Sequence, residues 1–88
     1  MSFNDKCYEL IRQVPKGKVT SYKEIFKALG TKAYRAVGTA MKKNKDLVNT
    51  PCHRVVKADG NLGEYVQGQA RKQELLEAEG VQVKNSLV

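Results

Sequence analysis

With 88 residues and 41% hydrophobic composition, the chain has room for one domain with one core and modest stability, so every functional part must share that core. No run approaches the roughly 18 apolar residues of a membrane span, and the opening MSFNDKCYEL lacks the basic flank and apolar stretch of a secretory signal, so a soluble, intracellular, cytoplasmic protein is expected. The formal charge of +7 is concentrated: Arg12 to Lys45 hold ten Lys or Arg against one carboxylate, Glu24, which is the footprint of a polyanion partner such as nucleic acid, with an anionic membrane or a merely solvated lysine-rich surface as the competing readings.

Phe3, Cys7, Leu10, Ile11 and Val14 recur at helical spacing, Ser2 can cap the start and Pro15 ends the run. Cys7 lies on the apolar stripe and is assigned to the core. Ser21-Tyr22-Lys23-Glu24 reads as a capping box opening a second helix, whose apolar face is Tyr22, Ile25, Phe26 and Leu29. Gly30 is placed to stop it in the left-handed conformation. Ala33, Ala36, Val37, Ala40 and Met41 form the stripe of a third helix, with Lys32, Arg35, Lys42 and Lys43 around the remainder. Two short helices joined by Gly30-Thr31-Lys32 carry the helix-turn-helix signature, which presents the second helix to DNA. The small residues Ala33, Ala36, Gly38, Thr39 and Ala40 suit close approach to a groove or tight packing on another helix.

Beyond Asn44 the periodicity fails, and Asn49-Thr50-Pro51 leads as a loop into Cys52. Val55–Lys57 and Leu62–Val66 read as two short extended segments around the Asp59-Gly60 turn. Gln69 to Glu79 reads as a last helix burying Leu75 and Leu76 and stopped by Gly80, with Val81 and Val83 in a frayed tail. The fold class is mainly α. Residues 1–88 are expected to form a single domain, with no repeat, linker or low-complexity segment.

Pro51-Cys52-His53-Arg54-Val55-Val56 sets a thiol beside the chain's single imidazole and a guanidinium. The thiolate is the nucleophilic form, and a neighbouring base or positive charge makes it accessible. Adjacent side chains need not touch, so an inert cysteine beside a core histidine stays open at this point. Two cysteines are too few for a disulfide scaffold, and with one His they cannot complete a four-ligand zinc site without carboxylates, so neither metal nor cofactor is expected.

PCHRVV resembles the active-site motif of the O6-alkylguanine-DNA alkyltransferases, also called methylated-DNA-protein-cysteine methyltransferases. Val14-Pro15-Lys16-Gly17-Lys18-Val19-Thr20-Ser21-Tyr22, Arg35-Ala36-Val37-Gly38-Thr39-Ala40-Met41, Asn44, Tyr65 and Leu75-Leu76-Glu77-Ala78-Glu79-Gly80 also resemble that family, in the same order and spacing. The resemblance covers nearly the whole chain and corresponds to the family's C-terminal catalytic and DNA-binding domain. It implies a winged-helix-like three-helix fold with a helix-turn-helix, an active-site loop and a C-terminal helix.

The resemblance further implies that Cys52 takes an alkyl group irreversibly from O6-alkylguanine in double-stranded DNA, with O4-alkylthymine a further candidate substrate. His53 would activate the thiol through a water and Glu79 would orient His53, a triad logic. Tyr22 would donate a proton toward the leaving guanine and help rotate the nucleotide out, Arg35 would fill the vacated place in the stack, and Asn44 would act as the hinge into the active-site loop. Ser21, Ala36, Thr39, Lys42 and Arg54 would contact DNA through the minor groove, while Tyr65, Val55, Val66 and Met41 would line the base pocket. A monomer acting once per molecule is implied.

The sequence departs from that pattern in two places. The family's N-terminal domain has no counterpart before Val19-Thr20-Ser21-Tyr22, and Glu64, Val66 and Gln67 replace smaller or amide residues around Tyr65, with bulk at Gln67 expected to alter which adducts fit. The chain also resembles the short alkyltransferase-like lesion sensors, which lack the acceptor cysteine. That non-catalytic reading, a sequence-specific helix-turn-helix regulator and a Cys-His hydrolase are the competing functions.

Overall fold

The computed structural model describes residues 2–30 and 34–88. Among these residues the helices are α1 (Phe3–Arg12), α2 (Tyr22–Leu29), α3 (Tyr34–Lys42) and α4 (Gln69–Ala78), with short strands β1 (Thr20–Ser21) and β2 (Val55–Val56) and a 3₁₀ turn at Cys52–Arg54. Among the described residues, no helix is long and apolar enough to cross a membrane.

Local chemistry sets the helix ends. Ser2 is extended and its hydroxyl accepts from the Asp5 amide at 3.1 Å, while the Asp5 carboxylate accepts from the Ser2 amide at 3.3 Å, a reciprocal capping box at the start of α1. Ser21 accepts from the Glu24 amide at 3.2 Å, the forward half of the expected box on α2. Gly30 closes α2 at φ 65° and ψ 34°, left-handed geometry that costs an L-residue about 1 kcal/mol. Residues 31–33, with the rest of the expected turn and both Lys32 and Ala33, lie outside the described residues.

α1, α2 and α3 pack around Cys7, Ile11, Ile25, Val37, Ala40 and Met41, and Cys52 and Val55 close this core from below. Cys7 is fully buried, as its place on the apolar stripe predicts. The Tyr8 hydroxyl donates to the Ala40 carbonyl at 2.7 Å and ties α1 to α3. A second cluster, Val56, Leu62 and Leu76 with Val19, Val81 and Val83 against it, seats α4 on the other side of β2.

Two expectations change. β2 pairs with β1 in parallel, Thr20 opposite Val55 and Ser21 opposite Val56, and Leu62–Val66 forms no strand. The Asp59-Gly60 turn does form, with the Lys57 amide donating to the Asn61 carbonyl at 2.8 Å, but Gly63 at φ 74° then bends the chain out of extension. The C-terminal tail folds back instead of fraying. Asn85 and Ser86 turn at φ 52° and 62°, the Leu62 amide donates to the Ser86 carbonyl at 3.0 Å, and the Val88 amide donates to the Gly60 carbonyl at 2.9 Å.

Candidate active site

The loop before Cys52 is organised around one carbonyl. Pro51 at φ −79° and ψ 71° makes an inverse γ-turn in which the Cys52 amide donates to the Thr50 carbonyl at 2.8 Å. The Asn44 side-chain amide donates to the same carbonyl at 2.8 Å, and the Asn44 side-chain oxygen accepts from the Asp46 amide at 3.0 Å. Asn44 is buried, so this one residue joins the end of α3 to the turn that carries the thiol. Arg12 Nε adds a bond from α1 to the Thr50 hydroxyl at 3.0 Å.

Cys52 is 5% exposed and lines an open cavity of about 680 Å³, together with Tyr22, Glu64, Tyr65 and Val66 and, from α3, Arg35, Thr39, Met41 and Lys42. Gly38 also lines this cavity, which places a backbone without a side chain on the helix wall. Burial pushes the Cys52 thiol above its ordinary value, opposed by a hydrogen bond from Asn44 and by the charge of Lys72. Burial likewise raises the Tyr22 hydroxyl, helped by the nearby Cys52 and Glu64. Both groups therefore hold their protons at rest.

Behind the cavity, His53 Nε2 lies 3.1 Å from Glu79 Oε1, close in distance but bent away from a well-aligned hydrogen bond. Among the described residues His53 Nδ1, also buried, has no hydrogen-bond partner. Burial holds His53 below its ordinary value against the pull of Glu79, so the ring is neutral at pH 7 and able to accept a proton. Tyr65 meets the imidazole edge-on, with centroids 6.4 Å apart and planes at 81°.

Arg54, expected among the DNA contacts, is turned inward. Its Nε and one terminal nitrogen donate to the two Glu79 oxygens at 3.0 and 2.6 Å, and the other terminal nitrogen donates to the Val14 carbonyl at 2.8 Å. A guanidinium so engaged has no free face for a phosphate, so the residue is a clamp between the 3₁₀ turn, the end of α4 and the end of α1. The bidentate pair is the main reason the Glu79 carboxyl lies below the ordinary value.

Other placements also differ from expectation. The Val55 side chain is fully buried and does not line the cavity, because it belongs to the core cluster that also holds Ile11 and Ile25. Gln67 is exposed and stands outside the cavity, whereas the Ser21 side chain caps α2 as expected. Arg35, Thr39 and Lys42 are exposed along one flank of α3, and Ala36 is half-buried.

Sequence reasoning missed Lys72, which is fully buried. Its ammonium donates to the Val55 carbonyl at 2.6 Å and to the Glu64 carbonyl at 3.1 Å, tying β2 to the cavity wall, and burial brings its pKa down to about 8. The signal was present: Lys72 shares a helical stripe with Leu76 and Glu79, at spacings of four and then three residues, so it falls on the inner face of α4.

Comparison with known proteins identifies the family. The family of the 6-O-methylguanine DNA methyltransferase DNA-binding domain matches residues 2–81. A methylated-DNA–protein-cysteine methyltransferase of Metallosphaera sedula is 47% identical over 83 residues, covering 94% of this chain and 52% of the relative. The structure of Mycobacterium tuberculosis OGT in complex with DNA superposes with a TM-score of 0.83 at 39% identity, covering 90% of this chain and 50% of that one. S. pombe Atl1 in complex with damaged DNA containing O6-carboxymethylguanine gives 0.81 at 32% identity, over 93% of this chain and 79% of that one. The chain thus spans about half the length of the curated methyltransferase it matches. It belongs to the 6-O-methylguanine DNA methyltransferase family, of which it carries the DNA-binding domain.

Proposed function

We propose that the protein repairs alkylated DNA by direct reversal, moving the alkyl group of a flipped O6-alkylguanine onto Cys52 once per molecule. The observation that carries this reading is a buried thiol on the wall of an open cavity with a neutral, carboxylate-backed imidazole behind it. The electrophile is an sp3 carbon, which suits a soft sulfur nucleophile. The Cys52 thiol gives its proton to His53 through a water, sulfur bonds to the alkyl carbon, and the carbon–O6 bond breaks. Tyr22 supplies a proton to the departing guanine, whose release as a neutral base makes the displacement feasible. A raised thiol pKa means that no thiolate stands ready. Base removal of the proton belongs to the reaction itself, and Glu79 stabilises the imidazolium that forms. The thioether has no easy leaving group, so the transfer is irreversible.

The flipped base sits against Tyr65, Val66 and Met41, with Arg35 filling the gap in the stack. Thr39, Ala36 and Lys42 on α3, with Ser21 beside it, run along the minor groove of double-stranded DNA, where readout of sequence is slight. Residues 1–88 work as one catalytic and DNA-binding unit, monomeric and intracellular, in the cytoplasm with access to DNA.

Incubation with a duplex carrying O6-methylguanine, followed by intact and peptide mass measurement, tests the reading. One added methylene on the Cys52 peptide, absent from Cys52→Ala and matched by restored guanine, is the expected result. Tight, lesion-dependent binding with no mass change would overturn it in favour of a non-catalytic lesion sensor.

A further inference from the structure

The cavity contains one carboxylate among its described lining residues, Glu64, facing the same space as Cys52 and Tyr22. Its backbone is held in place. Lys72 donates to the Glu64 carbonyl at 3.1 Å, and the preceding Gly63 lies beside Tyr22, where a Cβ would make ordinary contact at 3.6 Å from the ring and 3.8 Å from the hydroxyl. An adduct presented to Cys52 must occupy the space bordered by Tyr22, and the Glu64 carboxylate, though exposed, is near enough to act on the Tyr22 hydroxyl. The cations that line the cavity with Glu64, Arg35 and Lys42, are exposed on α3, and in the repair reading both are drawn to the DNA, Arg35 into the base stack and Lys42 onto the phosphates. Glu64 is then the negative charge that the described lining presents to the adduct, while the Lys72 ammonium stays buried on the Val55 and Glu64 carbonyls.

We propose that Glu64 makes this pocket selective by charge, accepting neutral O6-alkyl groups and rejecting anionic ones, of which the carboxymethyl group is the simplest. The proposal rests on the repair reading above and names which adducts that site takes. Like charges on the adduct and on the cavity wall repel, by enough to change a rate about tenfold.

The test compares single-turnover transfer from duplexes containing O6-methylguanine and O6-carboxymethylguanine, using the full chain and its Glu64→Gln and Glu64→Lys variants. The ratio of the two rates is read within each protein, which cancels general changes in DNA affinity and differences in intrinsic reactivity between the adducts. The ratio favouring methyl should fall about tenfold in Glu64→Gln, and further in Glu64→Lys. Equal ratios in all three proteins would overturn the proposal. Affinities of the matching Cys52→Ala proteins for both duplexes are measured alongside. If no transfer occurs from either lesion, the repair reading fails, and the binding ratios still decide whether Glu64 selects by charge.

Discussion

Glu79 serves two cations of different kinds, a permanent one in Arg54 and a titratable one in His53. The Arg54 pair lies 12–14% exposed, so removing one partner strands the other in a poorly solvated place. Arg54→Ala should cost about 2–4 kcal/mol of unfolding free energy by urea titration at pH 7. The sign with pH follows from the depressed carboxyl. Glu79 contributes stability above its unfolded value of 4.5 that is lost as pH falls through its lower folded value, and Arg54→Ala should flatten that acid limb. His53 acts in the same direction: its folded pKa lies below 6.5, so the unfolded chain takes up the proton first and stability falls as pH drops below 6.5. Repair activity should show an acid limb below 6.5 as well, once the base is protonated. Lys72 extends the linkage to alkaline pH. A folded pKa of about 8 against 10.5 unfolded corresponds to a burial cost of about 3 kcal/mol at neutral pH, relieved as pH rises from 8 to 10.5. The stability of the wild type minus that of Lys72→Met should therefore increase across that window, and a constant difference would sink this account of Lys72.

The site depends on short elements meeting, since Cys52 rides on a 3₁₀ turn of three residues that could not hold its shape alone. Its order comes from the Thr50 carbonyl, which collects bonds from Asn44 and from Cys52 itself, and from the two-residue pairing of β2 with β1. That pairing also brings the start of α2, and hence Tyr22, beside the thiol. Asn44→Ala leaves a buried carbonyl short of one donor, a loss of about 1–3 kcal/mol. The expected local result is faster amide hydrogen exchange at Thr50 and Cys52 with little change in α1, together with slower alkyl transfer. Uniform loss of protection across the molecule would show instead that Asn44 supports the whole fold.

Charge divides the molecule: cations crowd the stretch through α2 and α3, while the chain from Glu64 onward is close to neutral. On the proposed function this face binds DNA by counterion release, and affinity should then fall steeply with salt. Lys42→Ala should weaken binding to any duplex and reduce the slope of log K against log salt by about 1. Arg54→Ala, for all its cost in stability, should leave that slope unchanged, because its guanidinium is engaged by Glu79 and Val14. A lower slope for Arg54→Ala would restore it to the DNA contacts.

Much of this was readable in one dimension because the signals are local. Helical spacing located the core faces of α1 to α3, Ser2 and Ser21 marked helix starts, Gly30 and Gly80 marked stops, and the PCHRVV stretch with its companion segments pointed to the family. Each depends on a few neighbouring residues whose geometry the backbone dictates. What stayed hidden depends on contacts distant in the chain. Nothing near Val55 announces that its strand partner is Thr20, nothing near Arg54 announces Glu79 and Val14, and a lysine in a soluble helix reads as solvated until β2 and the Glu64 loop close over it. Propensity and periodicity specify which way a segment turns its faces. Which carbonyl, carboxylate or strand each face then meets is decided by how the packed elements exclude water, and there a buried polar group must find its partner wherever the chain has brought one.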